Sequence, residues 1–302
     1  MKRRVPWNIA IVGAGKVGQT LGRILVENGN HVVAVVSRSK ASAAAGAKFL
    51  QCKTVSTTLD SIPVDVKLVF IATPHAAVAT VAEELAQVET LPFSRISVCH
   101  ASGMLSAEAL EPLRLRGAKV FSFHPLQTFP RDFEPRNIVP HARGIYYGVD
   151  GDGPSLRVAR QLAARLDGKT VVIAPDHRIL YHAACVIASN HLTTMMSVLD
   201  EMFRSLRTEE QDFFPVFKPI VMATLSNVEK TSPARALSGP VARGGVETVA
   251  GHLEAVRSMT PSLLPYFLSL SRETVRLAVE KGSLTPFQER NMLDLLQSYT
   301  KQ

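Results

Sequence analysis

The first half of the chain alternates short apolar runs with segments whose apolar residues recur every three or four positions. Asn8 to Val12, His31 to Val36, Lys67 to Ala72, Ile96 to Cys99 and Lys119 to Phe123 are near-continuous runs of the kind that strands show when both faces are covered. Ile145 to Val149 and Thr170 to Ile173 extend or flank this series, and Cys52 to Val55 reads as a short third strand. Between them, Gln19 to Glu27, Ala41 to Phe49, Ala77 to Gln87, Ser106 to Arg114 and Ser155 to Leu166 read as helices. Such alternation predicts an α/β fold on a doubly wound parallel sheet.

After Pro175 the pattern becomes helical throughout. Asp176 predicts an N-cap for a long helix reaching about Arg207, followed by helices near Val216 to Glu229, Val246 to Ser258, Ser262 to Glu280 and Pro286 to Tyr299. Two domains are therefore expected, residues 1–175 and an all-helical 176–302. On the long helix, His182, Ser189, Asn190, Thr193 and Ser197 share one stripe about 100° wide, while Ile187, Ala188, Leu192, Met195 and Leu199 lie opposite and read as a core face. The segment from Ile179 to Leu199 carries no Asp, Glu, Lys or Arg, yet its His, Ser, Asn and Thr residues are too polar for a lipid span. A buried helix is the expectation.

Composition narrows the function classes. The net charge of +8 raises nucleic acid as a partner, but the basic residues are scattered and aromatics make up only 6%, so the charge reads as solubility and attraction for anions. Three cysteines, Cys52, Cys99 and Cys185, lack metal or redox spacing and read as reduced, buried thiols of a cytoplasmic protein. The basic start superficially resembles a signal peptide, but its apolar segment is the first strand, interrupted by glycines. Nine dispersed histidines with no clustered carboxylates give no metal site, and a serine-hydrolase elbow is absent.

The first strand runs into Gly13, Ala14, Gly15, Lys16, Val17 and Gly18, a Gly-x-Gly-x-x-Gly turn that opens a helix. In that fingerprint the first glycine makes the turn, the second lets backbone N–H groups approach a pyrophosphate, and the third lets helix and strand pack closely. The second strand ends in Ser37, Arg38 and Ser39 where an NAD site usually has a carboxylate. Arg38 can pair with a 2′-phosphate, so NADP(H) is the expected cofactor, with a solvated Ser/Arg turn as the alternative. Other strand ends are polar too: Thr73 and Pro74 suit a turn along the cofactor, while Ser102 and His124 stand where a substrate would meet them. On the long helix, His182 can protonate a carbonyl oxygen while Asn190 and the neighbouring Ser189 fix the substrate; a structural histidine is the alternative. Ser238, Gly239 and Arg243 form a turn that can clamp a carboxylate or remain ordinary surface.

Five motifs carry a resemblance over nearly the whole chain: Cys-His-Ala-Ser-Gly at 99–103, Phe-His-Pro-Leu-Gln-Thr-Phe at 123–129, His-Arg-Ile-Leu-Tyr-His-Ala-Ala at 177–184, Ser-Asn-His-Leu at 189–192 and Leu-Ser-Gly-Pro-Val-Ala-Arg-Gly at 237–244. The chain resembles a bacterial family that joins a Rossmann-like domain to a helical domain long without assigned function. That family is similar to ketopantoate reductase, pyrroline-5-carboxylate reductase and the phosphogluconate and hydroxyisobutyrate dehydrogenases. The resemblance implies a phosphogluconate-dehydrogenase-like helical domain, a homodimer formed through it, and NADPH-dependent reduction of a small 2-oxo acid, with ketopantoate first. His182 then falls on the catalytic Lys of ketopantoate reductases and Asn190 on their later Asn. Val186 falls on an earlier Asn whose polar contact it cannot make, and Gly245 stands where the family commonly has Asp. Three other functions stay open: an imine reductase, a prephenate- or arogenate-type dehydrogenase using His124-Pro125, and a non-catalytic NADP-binding sensor.

Overall fold

The computed structural model describes residues 5–300, and its sheet has eight strands: β1 (Asn8–Val12), β2 (His31–Val36), β3 (Val55–Ser56), β4 (Leu68–Ile71), β5 (Ser97–His100), β6 (Lys119–Pro125), β7 (Tyr146–Gly151) and β8 (Lys169–Val172). Their order is β3-β2-β1-β4-β5-β6-β7-β8, and every pairing is parallel except β6 with β7. The chain starts in the middle, runs out to β3 and returns past β1 to β4. That reversal creates a switch point between β1 and β4.

Successive strand residues alternate between two apolar layers. Ile9, Ile11, Phe70, Phe121 and Phe123 pack with Leu21, Ile24 and Leu25 of the Lys16–Glu27 helix and Leu162 of the Gly153–Arg165 helix. Ala10, Val12, Val69, Ile71, Val98 and Val120 face the Val78–Ala86 helix through Val78, Ala82 and Leu85. Both faces are therefore largely dry, which is why these strands are mainly apolar. The ring of Phe123 stacks on Tyr147 at 4.3 Å and meets Phe70 and Phe121 edge-on, which ties antiparallel β7 to the parallel strands.

Several expected elements take a different form. The third strand is Val55–Ser56 rather than Cys52 to Val55. The segment expected as a helix from Ser106 to Arg114 is a 3₁₀ turn, Ala107–Leu110, and then a short helix, Glu111–Leu115; Pro112 has no N–H to give the preceding turn and so belongs in a new first turn. The long helix is also broken. Pro175–His177 is a 3₁₀ turn, so Asp176 is no N-cap, and the helix Arg178–Val186 passes through a π-helical turn, Ile187–His191, into the helix Leu192–Ser205. Ser189 Oγ donates to the Cys185 carbonyl at 2.9 Å within this break, a side-chain bond that competes with the regular ladder. The expected core face is not core: Ile187, Ala188, Leu192 and Met195 are exposed and Leu199 is half-buried. An apolar stripe forecasts burial without naming what covers it. Cys99 is buried as expected, but Cys52 and Cys185 are only half-buried, all three being free thiols.

The chain divides into two compact units between Ser189 and Asn190, past the change of pattern near 175, because the Arg178–Val186 helix is bonded to the sheet. In the second unit Val249, Leu253, Leu268, Val275, Met292 and Leu296 form a core among the helices Val246–Met259, Leu264–Glu280 and Pro286–Ser298. The last of these starts with a capping box between Thr285 and Gln288. The helix Phe213–Lys230 buries none of its residues. Among the described residues no helix is long and apolar enough to cross a membrane.

Candidate active site

A cleft of about 320 Å³ opens at the carboxyl ends of β1, β2 and β4, lined by Gly13, Ala14, Gly15, Ser37, Arg38, Ser42, Thr57, Thr73 and Pro74 among others. Gly13 turns there with φ +104°, and a Cβ on it would stand 2.7 Å from the Ala72 carbonyl carbon. A Cβ on Gly18 would overlap the Gly13 carbonyl oxygen, so the helix can approach the turn only without it. Gly15, by contrast, has open space where a side chain would be. It is the N-cap of the Lys16–Glu27 helix and carries no capping side chain, so no side chain at the cap satisfies the first-turn N–H groups, which remain suited to an anion. Gln19 Nε2 donates to the Ala14 carbonyl at 2.7 Å and holds the turn.

The other expected cofactor residues divide. Arg38 is exposed on the cleft wall, and Thr73 Oγ1 is buried with no hydrogen-bond partner. Ser39 instead caps the Lys40–Leu50 helix, its Oγ accepting from the Ser42 N–H at 3.2 Å, and Ser42 is the serine that lines the cleft. Lys16 and Val17 do not line it; Val17 packs against the core.

A second cluster lies on the same sheet edge, at the ends of β5 and β6. Arg178 is 1% exposed, and its Nε sits 3.0 Å from Asp150 Oδ2 on β7. The guanidinium also bonds Ser122 Oγ on β6 and the Leu105 carbonyl. Asp150 accepts from the Ala107 N–H at 2.6 Å and from Ser122 Oγ at 2.6 Å. The pair thus holds the Arg178–Val186 helix, β6, β7 and the loop after β5 together. One turn on, Tyr181 Oη lies 2.8 Å from His124 Nδ1. The rings of His124 and His182 are 6.1 Å apart. Both meet at Gly103, whose absent Cβ would stand 2.7 Å from His182 Cδ2 and 2.9 Å from His124 Nε2.

Two expected residues, Ser102 and Ser189, and His100 beside Ser102 prove to be differently employed. His100 is fully buried and spends both ring nitrogens on its loop: Nε2 lies 2.9 Å from the Ser106 carbonyl, and Nδ1 accepts from the Ser102 N–H at 3.2 Å. Ser102 Oγ accepts from the Leu105 N–H, leaving its hydroxyl proton and one lone pair for the site. Ser189 commits its own hydroxyl proton to Cys185. His182 differs, since its ring nitrogens make no hydrogen bond among the described residues.

Asn190 is exposed in the π-helical turn. Within the second unit, Ser238 and Gly239, with φ +97°, precede the turn Val241–Arg243, where Arg243 is exposed. Lys281 Nζ donates to the Leu237 carbonyl at 2.6 Å and steadies this stretch. Sequence reasoning did not single out Tyr181, Arg178, Asp150, Ser42 or Gly148. The available signal was the spacing of Arg178 and Tyr181, which places both on one helix face. Among the described residues there is no group of three or more metal-ligating side chains.

Switch-point cleft, glycine turn and an all-helical second unit define a two-domain Rossmann-like protein. Residues 2–125 match a Rossmann-like domain, and residues 145–274 match a domain of unknown function (DUF2520). The chain therefore joins these two domains, the pairing that its motifs resemble. No curated protein matches it at the sequence level. Its fold is similar to that of a Bacteroides fragilis protein provisionally described as an NADP oxidoreductase (TM-score 0.69, 20% identity, 90% of this chain and 98% of that one). It is similar also to a pyrroline-5-carboxylate reductase from Coxiella burnetii (0.60, 16%, 92% and 99%) and to an imine reductase from Myxococcus stipitatus in complex with NADP+ (0.61, 15%, 89% and 94%).

Burial lowers His100 and His124 from 6.5 to about 4, with the nearby Arg178 charge acting in the same direction. Between those values the unfolded chain binds protons that the folded chain does not, so stability is complete above pH 6.5 and is lost as pH falls towards 4. Each imidazole contributes a slope of about 1.4 kcal/mol per pH unit. Denaturant unfolding from pH 7 to 4.5 is expected to show this fall, with a shallower slope in His100→Gln; constant stability across the window would contradict it.

Proposed function

We propose that this protein is an NADPH-dependent reductase that delivers hydride to the carbonyl carbon of a small 2-oxo acid, with 2-dehydropantoate reduced to pantoate, a step of pantothenate biosynthesis. The observation that carries the reading is the convergence of His182 and His124 on Gly103, on the sheet edge that also bears the glycine turn. Ligands of open α/β sheets sit at that edge. The cleft fits a dinucleotide: Gly13 and Gly18 permit the tight turn, the space at Gly15 admits a pyrophosphate, and Ser37, Ser42 and Arg38 offer donors to a 2′-phosphate. NADPH held there supplies the hydride.

In this reading His182, with both ring nitrogens unengaged, holds the proton that goes to the carbonyl oxygen. Asn190 orients the substrate, and Arg243 with the Ser238–Gly239 turn takes its carboxylate. Residues 1–175 serve as the NADP-binding domain and residues 176–302 as the substrate and dimerisation domain, in a cytoplasmic enzyme. Two fold neighbours reduce, by name, an imine and pyrroline-5-carboxylate, so cyclic imines belong in the same substrate panel.

NADPH oxidation followed across oxo acids and cyclic imines is expected to show saturable turnover with 2-dehydropantoate. His182→Ala is expected to cut that turnover about 100-fold to 10,000-fold with NADPH affinity and melting temperature preserved. Retained activity in the variant would move the proton donor to His124. No turnover with 2-dehydropantoate would remove that substrate, and NADPH binding without any turnover would make the protein a sensor.

Cofactor choice is tested by Arg38→Asp. Loss of a charge-assisted contact is expected to weaken NADPH binding by about 1.5–3 kcal/mol and leave NADH binding nearly unchanged. Equal affinity of the unaltered protein for both cofactors would refute the assignment.

We also propose a homodimer. Leu192, Met195, Ile220, Met222 and Leu225 are exposed on the helices Leu192–Ser205 and Phe213–Lys230. Apolar surface on this scale marks an interaction face, and the same helices of a second copy would cover it. Sedimentation velocity is expected to give a dimer; a monomer at micromolar concentration would exclude it.

A further inference from the structure

The Arg178–Val186 helix is fastened to β6 and β7 in two rungs. In the antiparallel register Ser122 faces Asp150 and His124 faces Gly148. Arg178 closes the first rung by bonding Ser122 and Asp150. Tyr181 closes the second, its Oη 2.8 Å from His124 Nδ1 and its ring perpendicular to the imidazole at 5.6 Å. Gly148 makes the second rung possible: a Cβ there would stand 2.5 Å from Tyr181 Cζ and overlap the phenol oxygen. Strand residues two apart and helix residues three apart keep the same facing, so one helix face reads two rungs. His124 then has its other ring nitrogen, Nε2, at Gly103, where His182 arrives from the same helix.

We propose that Tyr181 is a positioning residue of the active site: its O–H donates to Nδ1 of His124 and fixes the tautomer in which Nε2 carries the proton. His124 thereby presents a neutral N–H donor beside Gly103. Such a donor recognises an acceptor, a carbonyl or carboxylate oxygen, and meets an iminium N–H proton to proton. Tyr181 therefore selects oxo acids over protonated imines. The choice of substrate rests on the reductase reading given above; the tautomer does not.

The groups around this pair agree with that direction. Burial, then Cys185 through its charge and a side-chain hydrogen bond, pushes the Tyr181 phenol well above its ordinary value, so the phenol stays protonated, with His124 Nδ1 at 2.8 Å as the acceptor assigned to it here. Burial, then Arg178, His182 and His100, holds His124 neutral. The charged and titratable groups facing His124 are Arg178, Tyr181 and His182 on the helix and His100 on β5. Asp150, on β7, is one rung away and engaged by Arg178. Among the described residues no carboxylate bonds to His124 and draws a proton to Nδ1. The two imidazoles then divide the work, His124 polarising the acceptor through Nε2–H and His182 giving up a proton.

The test is ¹⁵N NMR of the full chain labelled at histidine, with His124 assigned by the signals lost in His124→Gln. At pH 7 the expected spectrum has His124 protonated at Nε2 and bare at Nδ1, and Tyr181→Phe yields a mixture of tautomers with unchanged melting temperature and NADPH affinity. With 2-dehydropantoate, Tyr181→Phe is expected to lower kcat about 10- to 100-fold, by analogy with loss of the hydrogen-bond partner of a metal-bound imidazole. Its preference for oxo acid over imine should narrow as well. An Nδ1-protonated His124 in the unaltered protein, or an unchanged tautomer in Tyr181→Phe, would overturn the proposal. The spectrum of the unaltered protein decides the bond's direction even if the variant does not fold. It needs neither substrate nor cofactor, so a protein that reduces no oxo acid fails the reductase reading while its spectrum still tests the role of Tyr181.

Discussion

The buried ion pair of Arg178 and Asp150 is the contact on which the second cluster depends. Both side chains are nearly inaccessible, at 1% and 3% exposure, and desolvating two charges costs several kcal/mol per ion before any attraction is gained. The cost is offset here by satisfying the remaining donors and acceptors: Ser122, the Ala107 N–H and the Leu105 carbonyl surround the pair. One guanidinium nitrogen, Nη1, still has no partner, so the network is not ideal for stability alone. What it achieves is placement. A pair that is costly to dismantle, about 3–5 kcal/mol when one partner is removed, fixes the helix at one rotation and one height against β6 and β7.

That placement decides the chemistry one turn further along. With Arg178 anchored, Tyr181 falls over the gap at Gly148 and His182 reaches Gly103. Two glycines, one on β7 and one in the loop after β5, are needed because aromatic rings occupy the volume where their side chains would be. The same device appears at the cofactor edge, where Gly13 and Gly18 let backbone approach backbone. In both clusters a missing Cβ is what lets neighbouring groups approach closely.

Much of the architecture was legible in the sequence because a sheet covered on both faces leaves short, mainly apolar runs, and β1, β2, β4, β5 and β6 are of that kind. The glycine turn was legible through its spacing. Tyr181 was not, because a tyrosine on an apolar helix reads as core, and Gly148 was not, because nothing in a strand sequence says which side chain lies across it. His100, at the end of β5, is consumed by its loop, which the sequence could not show because that needs the partners of both ring nitrogens. The break at Ile187–His191 escaped periodicity analysis because each half of the helix is amphipathic by itself.

The exposed apolar residues follow from the same limit of one-dimensional reading. Hydrophobic periodicity on the helices Leu192–Ser205 and Phe213–Lys230 states that a face will leave water, but it is silent on whether the covering surface belongs to the same chain. Within one chain the Phe213–Lys230 helix only half-buries Phe213, Phe217, Val221 and Val228, with Phe217 edge-on to Phe203, while Val249, Leu253, Leu268 and Met292 form a core without it. An eighteen-residue helix with no fully buried side chain has only part of the tertiary packing from which helices of globular proteins draw most of their stability. In the homodimer proposed above, a second copy would supply the burial that the single chain leaves incomplete on this face.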